Sequence, residues 1–485
     1  MNEAVASTAP AQPLPADIHR IFRLQQQHHS TVARSTARQR IAKLQRLHDA
    51  MMRYREEITR AVWNDLRKSP TEANISELGV VNGEIRHTIR NLRSWMTPKR
   101  VDTPMVLFGT TSEIRYEPKG VCLVLAPWNF PFNLTLSPVV SAVAAGNCVI
   151  VKPSEYAPHS AEVMKKILGE CFPPEEVSLF EGDATVAQTL LQLPFNHIFF
   201  TGSPEVGKIV MREAAQHLAS VTLELGGKNP TVVDETADLE EAAGKIAWIK
   251  AMNAGQSCIA PDYVFVHESV HDRLVEKIVR KVEKQYGRTP EERAESPDLC
   301  RLIHARHFQR VNSLLEDAVR HGAQVVIGGR TDAATRYIEP TVLTRVPEGA
   351  HIWGEEIFGP LLLIRPYRTL DEVVQYINAK PRPLAMYIWS ASRRNIEYLM
   401  SETRNGDVTI NDCGAHFYNP HLPFGGINNS GIGKTHGVFG FQEFSNARGV
   451  LRQNRIFSIT SPFMPPYGKH PGIVRAMLEG VVKWF

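Results

Sequence analysis

Apolar positions along the chain fall into different patterns, and each pattern predicts a type of element. Between residues 36 and 67, Ile41, Leu44, Leu47, Met51, Tyr54 and Ile58 recur every three or four positions, with Arg, Lys and Glu between them. That period predicts one long amphipathic helix with a buried stripe. Residues 71–97 continue in the same way through Ile75, Leu78, Val81 and Ile85 to Trp95. Residues 101–117 look extended and close on the turn signal EPKG, which predicts a hairpin arm. From residue 121 short unbroken apolar runs take over: VCLVLA (121–126), NCVIVKP (147–153), VSLFEG (177–182) and NHIFF (196–200) read as buried strands. Helical stretches at 160–172, 186–193 and 204–218 follow or separate them. This β-α-β-α-β rhythm predicts a doubly wound parallel sheet.

After LELGGKNP (223–230) a second alternating series begins and runs to about residue 425. It holds TVVD, a helix at 238–252, YVFVH, a helix at 270–286, QVVIGG and LLLIRPY. A boundary near Gly226-Gly227 therefore divides the chain into two α/β units, 16–225 and 226–428. A flexible leader, 1–15, precedes them. A return segment, 429–465, follows, with a late extended stretch at 441–456. The last stretch, 471–485, puts Ile473, Val474, Met477, Leu478, Val481, Val482, Trp484 and Phe485 on one broad face and Arg475, Glu479 and Lys483 on the other. It predicts an amphipathic helix too short to span a bilayer. Such a helix either lies in a membrane interface as a weak peripheral contact or packs back on the protein.

Composition narrows the class. With 485 residues, 43% hydrophobic and 22% charged, the chain suits a folded protein with large cores. A net charge of +4 without a basic stripe gives no reason to expect a nucleic-acid partner. The six cysteines contain no CxxC pair, so neither a metal cage nor a disulfide framework is expected. A reducing, cytoplasmic setting fits, because the N-terminus has no secretory h-region.

One cysteine stands apart. Cys258 lies in AMNAGQSCIAPDY, among small and polar residues just before a β-type run. That surrounding suits a loop where a thiol can be reached by a ligand. Glu224 ends the strand in LELGG, beside two glycines that permit close approach. The two side chains are expected to face one crevice at the carboxyl ends of strands. By itself Glu224 fits a surface glutamate beside a turn equally well. Asn129 in APWNFPFN is held between rigid flanks, where its amide suits an oxyanion or simply a turn. In FFTGSPEVG, Ser203 is a natural N-cap and Gly202 opens a helix start suited to a pyrophosphate. VKPSE offers Lys152 as a cation and Glu155 as an acceptor for ribose hydroxyls. EEIFGP offers Glu356 and Phe358 as a polar anchor and an aromatic face.

Taken in order, PWNFP, KPSE, FTGSPEVG, LELGGK, GQSC, EEIFGP and LPFGGINNSG make a specific pattern. Over residues 20 to 450 the chain resembles the NAD(P)-dependent aldehyde dehydrogenase superfamily. CIAPDY and RPLAMYIWS resemble its class 3 branch, which includes fatty-aldehyde and coniferyl-aldehyde dehydrogenases. The resemblance implies a cofactor-binding unit (16–225), a catalytic unit (226–428), an oligomerisation role for 429–465 and a homodimer. It implies Cys258 as nucleophile, Glu224 as general base and Asn129 as oxyanion donor. The cofactor, NAD+ with NADP+ as the alternative, would be held by Pro127, Trp128, Lys152, Glu155, Gly202, Ser203, Val206, Gly207, Glu356 and Phe358. The reaction implied is attack of the thiolate on an aldehyde, hydride loss to give a thioester, and hydrolysis to the acid. Phe130 stands where class 3 members often carry tyrosine and is expected to face substrate, shifting the acceptor profile toward apolar aldehydes; the substrate implied is an apolar aldehyde, of medium or long chain or aromatic. A CoA-acylating dehydrogenase is one alternative, but such enzymes generally lack a base matching Glu224. A non-catalytic protein that reuses the fold is the other, and the intact Cys258 and Glu224 weigh against it.

Overall fold

The computed structural model describes residues 15–456, 458, 464–466 and 471–482. The leader lies outside them except for Pro15, which opens a helix, Pro15–Ala33. Trp484 and Phe485 also lie outside them.

Two large sheets organise the described residues. The first has six strands in the order Gly431–Ile432, Ser220–Leu225, His197–Gly202, Val121–Leu125, Cys148–Lys152 and Val177–Leu179. All neighbours are parallel except Gly431–Ile432, which returns from late in the chain to pair antiparallel with Glu224 and Leu223. The second has seven strands: Gln324–Ile327, Thr341–Thr344, Leu361–Tyr367, Tyr263–His267, Pro230–Val233, Ala385–Trp389 and Asp407–Ile410. It is parallel apart from Gln324–Ile327.

Alternation along each strand explains why both sheets are covered on two faces. In the first, Cys122, Val124, Val149 and Val151 enter one core with Leu44, Leu47, Ile58 and Ile85 of the N-terminal helices. Leu123, Leu125 and Ile150 enter the opposite core with Ile18, Ile21 and Phe22. In the second, Val264, Leu362 and Tyr387 face one core, and Tyr263, Leu361 and Ile388 face the other. Burying an aliphatic side chain contributes about 1.5–3 kcal/mol, so a one-residue slip would exchange both cores at a prohibitive cost.

The predicted helix at 36–67 is two helices, Ala37–Arg53 and Arg55–Leu66, joined at Tyr54 with ψ near 7°. The apolar stripe runs across the bend with Leu44, Leu47, Met51 and Ile58 all fully buried, which is why periodicity alone did not reveal it. The helical stretch after residue 70 likewise contains a π-turn, Asn74–Gly79, between Pro70–Ala73 and Val80–Trp95. The arm forms Lys99–Val101 and Thr110–Pro118, and Ser445–Gln453 joins Thr110–Pro118 along its whole length. Residues 441–443, expected to be extended, belong to a short helix, Gly437–Glu443. The C-terminal helix spans Pro471–Val482 and carries an exposed Arg475–Glu479 ion pair at 2.8 Å. Among the described residues no helix is long and apolar enough to cross a membrane.

Candidate active site

Between the two sheets lies a cavity of about 620 Å³. Glu224 reaches it from the carboxyl end of its strand in the first sheet. Cys258 reaches it from the loop that leads into Tyr263–His267, at the amino end of a strand in the second sheet. The expectation that both would stand at carboxyl ends is therefore corrected. The chain leaves the first sheet at Leu225 and starts the second at Pro230, so the first sheet's strand ends meet the second sheet's strand starts. Glu356 and Lys380 also come from loops preceding strands of the second sheet.

Cys258 is the one residue from 251 to 266 that is not fully buried, and the other five cysteines are buried. Its loop is held in an unfavourable conformation. Asn253, Ala254 and Gly255 all have positive φ, at 52°, 51° and 71°. Asn253 N–H donates to Glu72 Oε1 at 2.9 Å, and Asn253 Nδ2 donates to the Asn129 carbonyl at 2.7 Å. Gln256 Nε2 donates to the carbonyls of Asn253 (2.9 Å) and Arg301 (3.1 Å), while its Oε1 accepts from Ile303 N–H at 3.0 Å. Asn229 Nδ2 donates to the Cys258 carbonyl at 2.7 Å. Burial, then the carboxylates of Glu224 and Glu356, push the thiol pKa far up, and the backbone N–H groups of Cys258 and Ile259 pull it partly back.

Asn129 is buried in the turn after Val121–Leu125, and its Nδ2 donates to the Gln256 carbonyl at 3.1 Å. Burial raises the Glu224 pKa to about 7, with the nearby Asp407 adding to the shift, while the Thr435 hydroxyl, donating to Oε1 at 2.6 Å, opposes it. Burial likewise raises Glu356 to about 8.

The cavity lining includes Pro127, Trp128, Asn129, Gly202, Ser203, Glu224, Cys258, Glu356 and Phe358. Lys152, Glu155, Val206 and Gly207 lie outside it. Lys152 is buried, with Nζ donating to the Pro153 carbonyl (2.9 Å) and to Glu155 Oε2 (3.2 Å). Val206 is exposed on the first turn of helix Pro204–Gln216. Gly207 packs against Leu225, where a Cβ would stand 2.8 Å from Cδ2. Phe130, expected to face substrate, is buried with the Lys68 ammonium 4.0 Å from its ring centre, and it does not line the cavity.

Sequence reasoning missed His307, Arg310, Trp353, Lys380 and Thr435. His307 Nε2 lies 2.8 Å from the Phe358 carbonyl, and its ring stands 5.4 Å from Trp128. Arg310 donates to the carbonyls of Glu356 (3.2 Å) and Ile357 (2.6 Å). No local motif marks these residues, because packing of distant segments brings them in.

Does the cleft suit a dinucleotide? Two buried oxygens of residues lining it, Glu356 Oε1 and Thr201 Oγ1, have no hydrogen-bond partner among the described residues. A buried polar atom without a partner is costly, and a ribose or amide group would supply one. The helix starting at Pro204, capped by Ser203 Oγ accepting from Val206 N–H at 3.4 Å, aims its positive end at the same cleft. The residues present fit the cofactor.

Fold and cleft thus define an α/β enzyme with a reachable thiol beside a nucleotide-shaped site. The pattern of the aldehyde dehydrogenase family matches residues 2–450, and the chain belongs to that family. It is 41% identical over 425 residues to the 4,4'-diaponeurosporen-aldehyde dehydrogenase of Staphylococcus aureus (strain NCTC 8325 / PS 47), covering 87% of this chain and 91% of that one. Identity to aldehyde dehydrogenase family 3 member B1 of Homo sapiens is 41% over 412 residues, covering 85% and 86%. The solved substrate-bound state of Staphylococcus aureus AldH superposes with a TM-score of 0.90 at 38% identity, covering 95% of this chain and 99% of that one. The chain is an NAD(P)-dependent aldehyde dehydrogenase with class 3-like relatives.

Gly255 offers a test of the loop. A Cβ there would stand 2.2 Å from the Gly359 carbonyl oxygen, at a φ that side chains rarely adopt. Gly255→Ala should cost about 1–3 kcal/mol of stability. It should also lower turnover by ~10², as a displaced reacting group does. Thermal melting and steady-state rates measure both, and an unchanged turnover would refute the account.

Proposed function

We propose that the protein oxidises an apolar aldehyde, of medium or long chain or aromatic, to the carboxylic acid through a thioester on Cys258. The reading is carried by one observation: a partly exposed thiol and a buried carboxyl with a pKa near 7 line the same cavity. The Cys258 sulfur, once deprotonated, adds to the aldehyde carbon, and Asn129 Nδ2 together with the Cys258 N–H donates to the oxyanion. The nicotinamide, when bound, supplies the hydride acceptor. Glu224 then takes a proton from water, whose oxygen attacks the thioester carbon; the C–S bond breaks and releases the acid and the Cys258 thiolate.

Glu356 and Phe358 would hold the nicotinamide end, Gly202, Ser203, Val206 and Gly207 the pyrophosphate and adenosine side, and Lys152 and Glu155 the adenosine ribose. Pro127 and Trp128 would wall the cleft between them. In this reading 16–225 is the cofactor unit and 226–428 the catalytic unit. The apolar preference is supported by Trp128, Leu134, Trp353 and Phe358 in the lining, and the name of the Staphylococcus relative gives 4,4'-diaponeurosporen-aldehyde as that enzyme's substrate. Hydrolysis is favoured over transfer to CoA because Glu224 stands in the cavity with the thiol. Six cysteines, none in a disulfide, support a reducing, cytoplasmic location. The helix Pro471–Val482 would give at most weak contact with membrane surfaces.

Two edge strands support a homodimer. Ser445–Gln453 ends the three-stranded sheet and Asp407–Ile410 ends the seven-stranded one. Edge strands are sites where a second chain can add, and symmetric pairing closes after two copies.

Cys258→Ala should abolish oxidation while leaving cofactor affinity within about twofold, read by turnover and by nucleotide titration. Retained turnover would end the thioester reading.

Glu224 must be deprotonated to activate water, so its raised pKa sets an acid limb. Deacylation should fall as pH drops through about 7, with the slope lost in Glu224→Gln and the steady-state rate down ~10²–10⁴. Single-turnover formation of reduced cofactor should persist in that variant. Equal loss of both phases would assign Glu224 to acylation instead.

Light scattering at micromolar concentration should give twice the chain mass of 54.4 kDa. A monomer would contradict the paired-edge argument.

A further inference from the structure

The turn that carries Asn129 is fastened from behind by a buried ion pair that does not line the cleft. Lys68 and Glu77 are both 0% exposed, and Lys68 Nζ donates to Glu77 Oε1 at 2.7 Å. Glu77 Oε2 accepts from the N–H groups of Phe132 (3.1 Å) and Asn133 (3.0 Å), at the start of helix Asn133–Ala145. The Lys68 ammonium also donates to the Asn129 carbonyl at 3.2 Å and lies over the Phe130 ring at 4.0 Å. The pair therefore grips the backbone at Asn129 itself and again three and four residues later. Glu77 sits in the π-turn Asn74–Gly79, and the Ser76 carbonyl of that turn accepts from Asn133 Nδ2 at 3.2 Å. Such turns often mark functional positions.

Charge is expensive to bury, and an ion pair gains little over a packed apolar pair of similar volume. Stability alone is a poor account of Lys68 and Glu77. What the pair offers instead is placement. The Asn129 amide nitrogen carries two hydrogens, and one is committed to the Gln256 carbonyl. The second can serve an oxyanion only if the backbone beneath it is held within a few tenths of an ångström.

We propose that Lys68 and Glu77 form a positioning pair, which acts through the backbone of residues 129–133 to set the Asn129 amide for the thiohemiacetal oxyanion. This rests on the thioester reading above. The pair touches neither substrate nor cofactor. Its loss should slow the acylation half-reaction and leave nucleotide binding alone.

The test is a double-mutant cycle with Asn129→Ala, read as the single-turnover rate of reduced-cofactor formation, with cofactor affinity measured alongside. Glu77→Gln should lower that rate about 10–100-fold when Asn129 is present and less than about 3-fold in the Asn129→Ala background. Cofactor affinity should change by less than about 2-fold. Equal losses in both backgrounds, or no loss in a folded variant, overturn the proposal. Where Glu77→Gln does not fold, Lys68→Met/Glu77→Gln removes both charges together and enters the same cycle with the same criteria. A crystal structure of either variant gives a readout independent of activity. A displacement of Asn129 by more than about 0.5 Å supports the pair's role, and an unmoved Asn129 refutes it. A parent enzyme whose burst survives Cys258→Ala would sink the thioester reading instead, and leave the structural arm to judge the pair.

Discussion

A short piece of left-handed backbone carries the thiol, and much of the surrounding structure exists to hold it there. Asn253 and Ala254 adopt positive φ, each at a cost of about 1–3 kcal/mol for a residue with a side chain. A net hydrogen bond returns only about 0.5–1.5 kcal/mol, so no single contact offsets that strain. Several do so together. Glu72 takes the Asn253 N–H, Gln256 ties the loop to Arg301 and Ile303, Asn229 holds the Cys258 carbonyl, and Gly255 lies flat against Gly359. The result is a partly exposed cysteine in an otherwise buried segment.

The same economy governs the carboxyl groups. Burial raises Glu72, Glu84 and Glu224 to about 7 and Glu356 to about 8. Their surroundings then separate them. Glu72 and Glu84 accept backbone N–H groups, from Asn253 and from Gly437, and fix loops that flank the cleft. Glu224 and Glu356 line the cleft itself, and an oxygen of Glu356 has no hydrogen-bond partner among the described residues. A raised pKa therefore does not identify a reacting group here, since structural carboxyls share it. Access to the cavity separates Glu224 and Glu356 from the other two.

The strands were readable because their signal is local. VCLVL is buried along its whole length and YVFVH up to its last residue, His267, on both faces, and no surface helix gives such runs. The helices between them were readable from their period, but the bend at Tyr54 and the π-turn at Asn74–Gly79 were not. Neither changes which residues face the core, so neither leaves a mark in the pattern. Cavity-lining residues in recognisable turns, such as Asn129, Ser203 and Glu356, could be picked out. His307, Arg310 and Thr435 sit in ordinary stretches and carried no such sign.

The sequence by itself determined the α/β strand-helix alternation and the family, and marked Cys258 and Glu224 as candidates, because these depend on short-range pattern and on residue type. Tertiary structure alone decided that the cleft joins carboxyl ends of one sheet to amino ends of the other. It alone turned Phe130 away from the cavity to lie against Lys68, and set Lys68 and Glu77 under the Asn129 turn. Each of these depends on contacts between segments far apart in the chain. Such contacts are chosen by the packing of whole faces and by the need to pair every buried charge, and neither requirement can be read from a residue's neighbours.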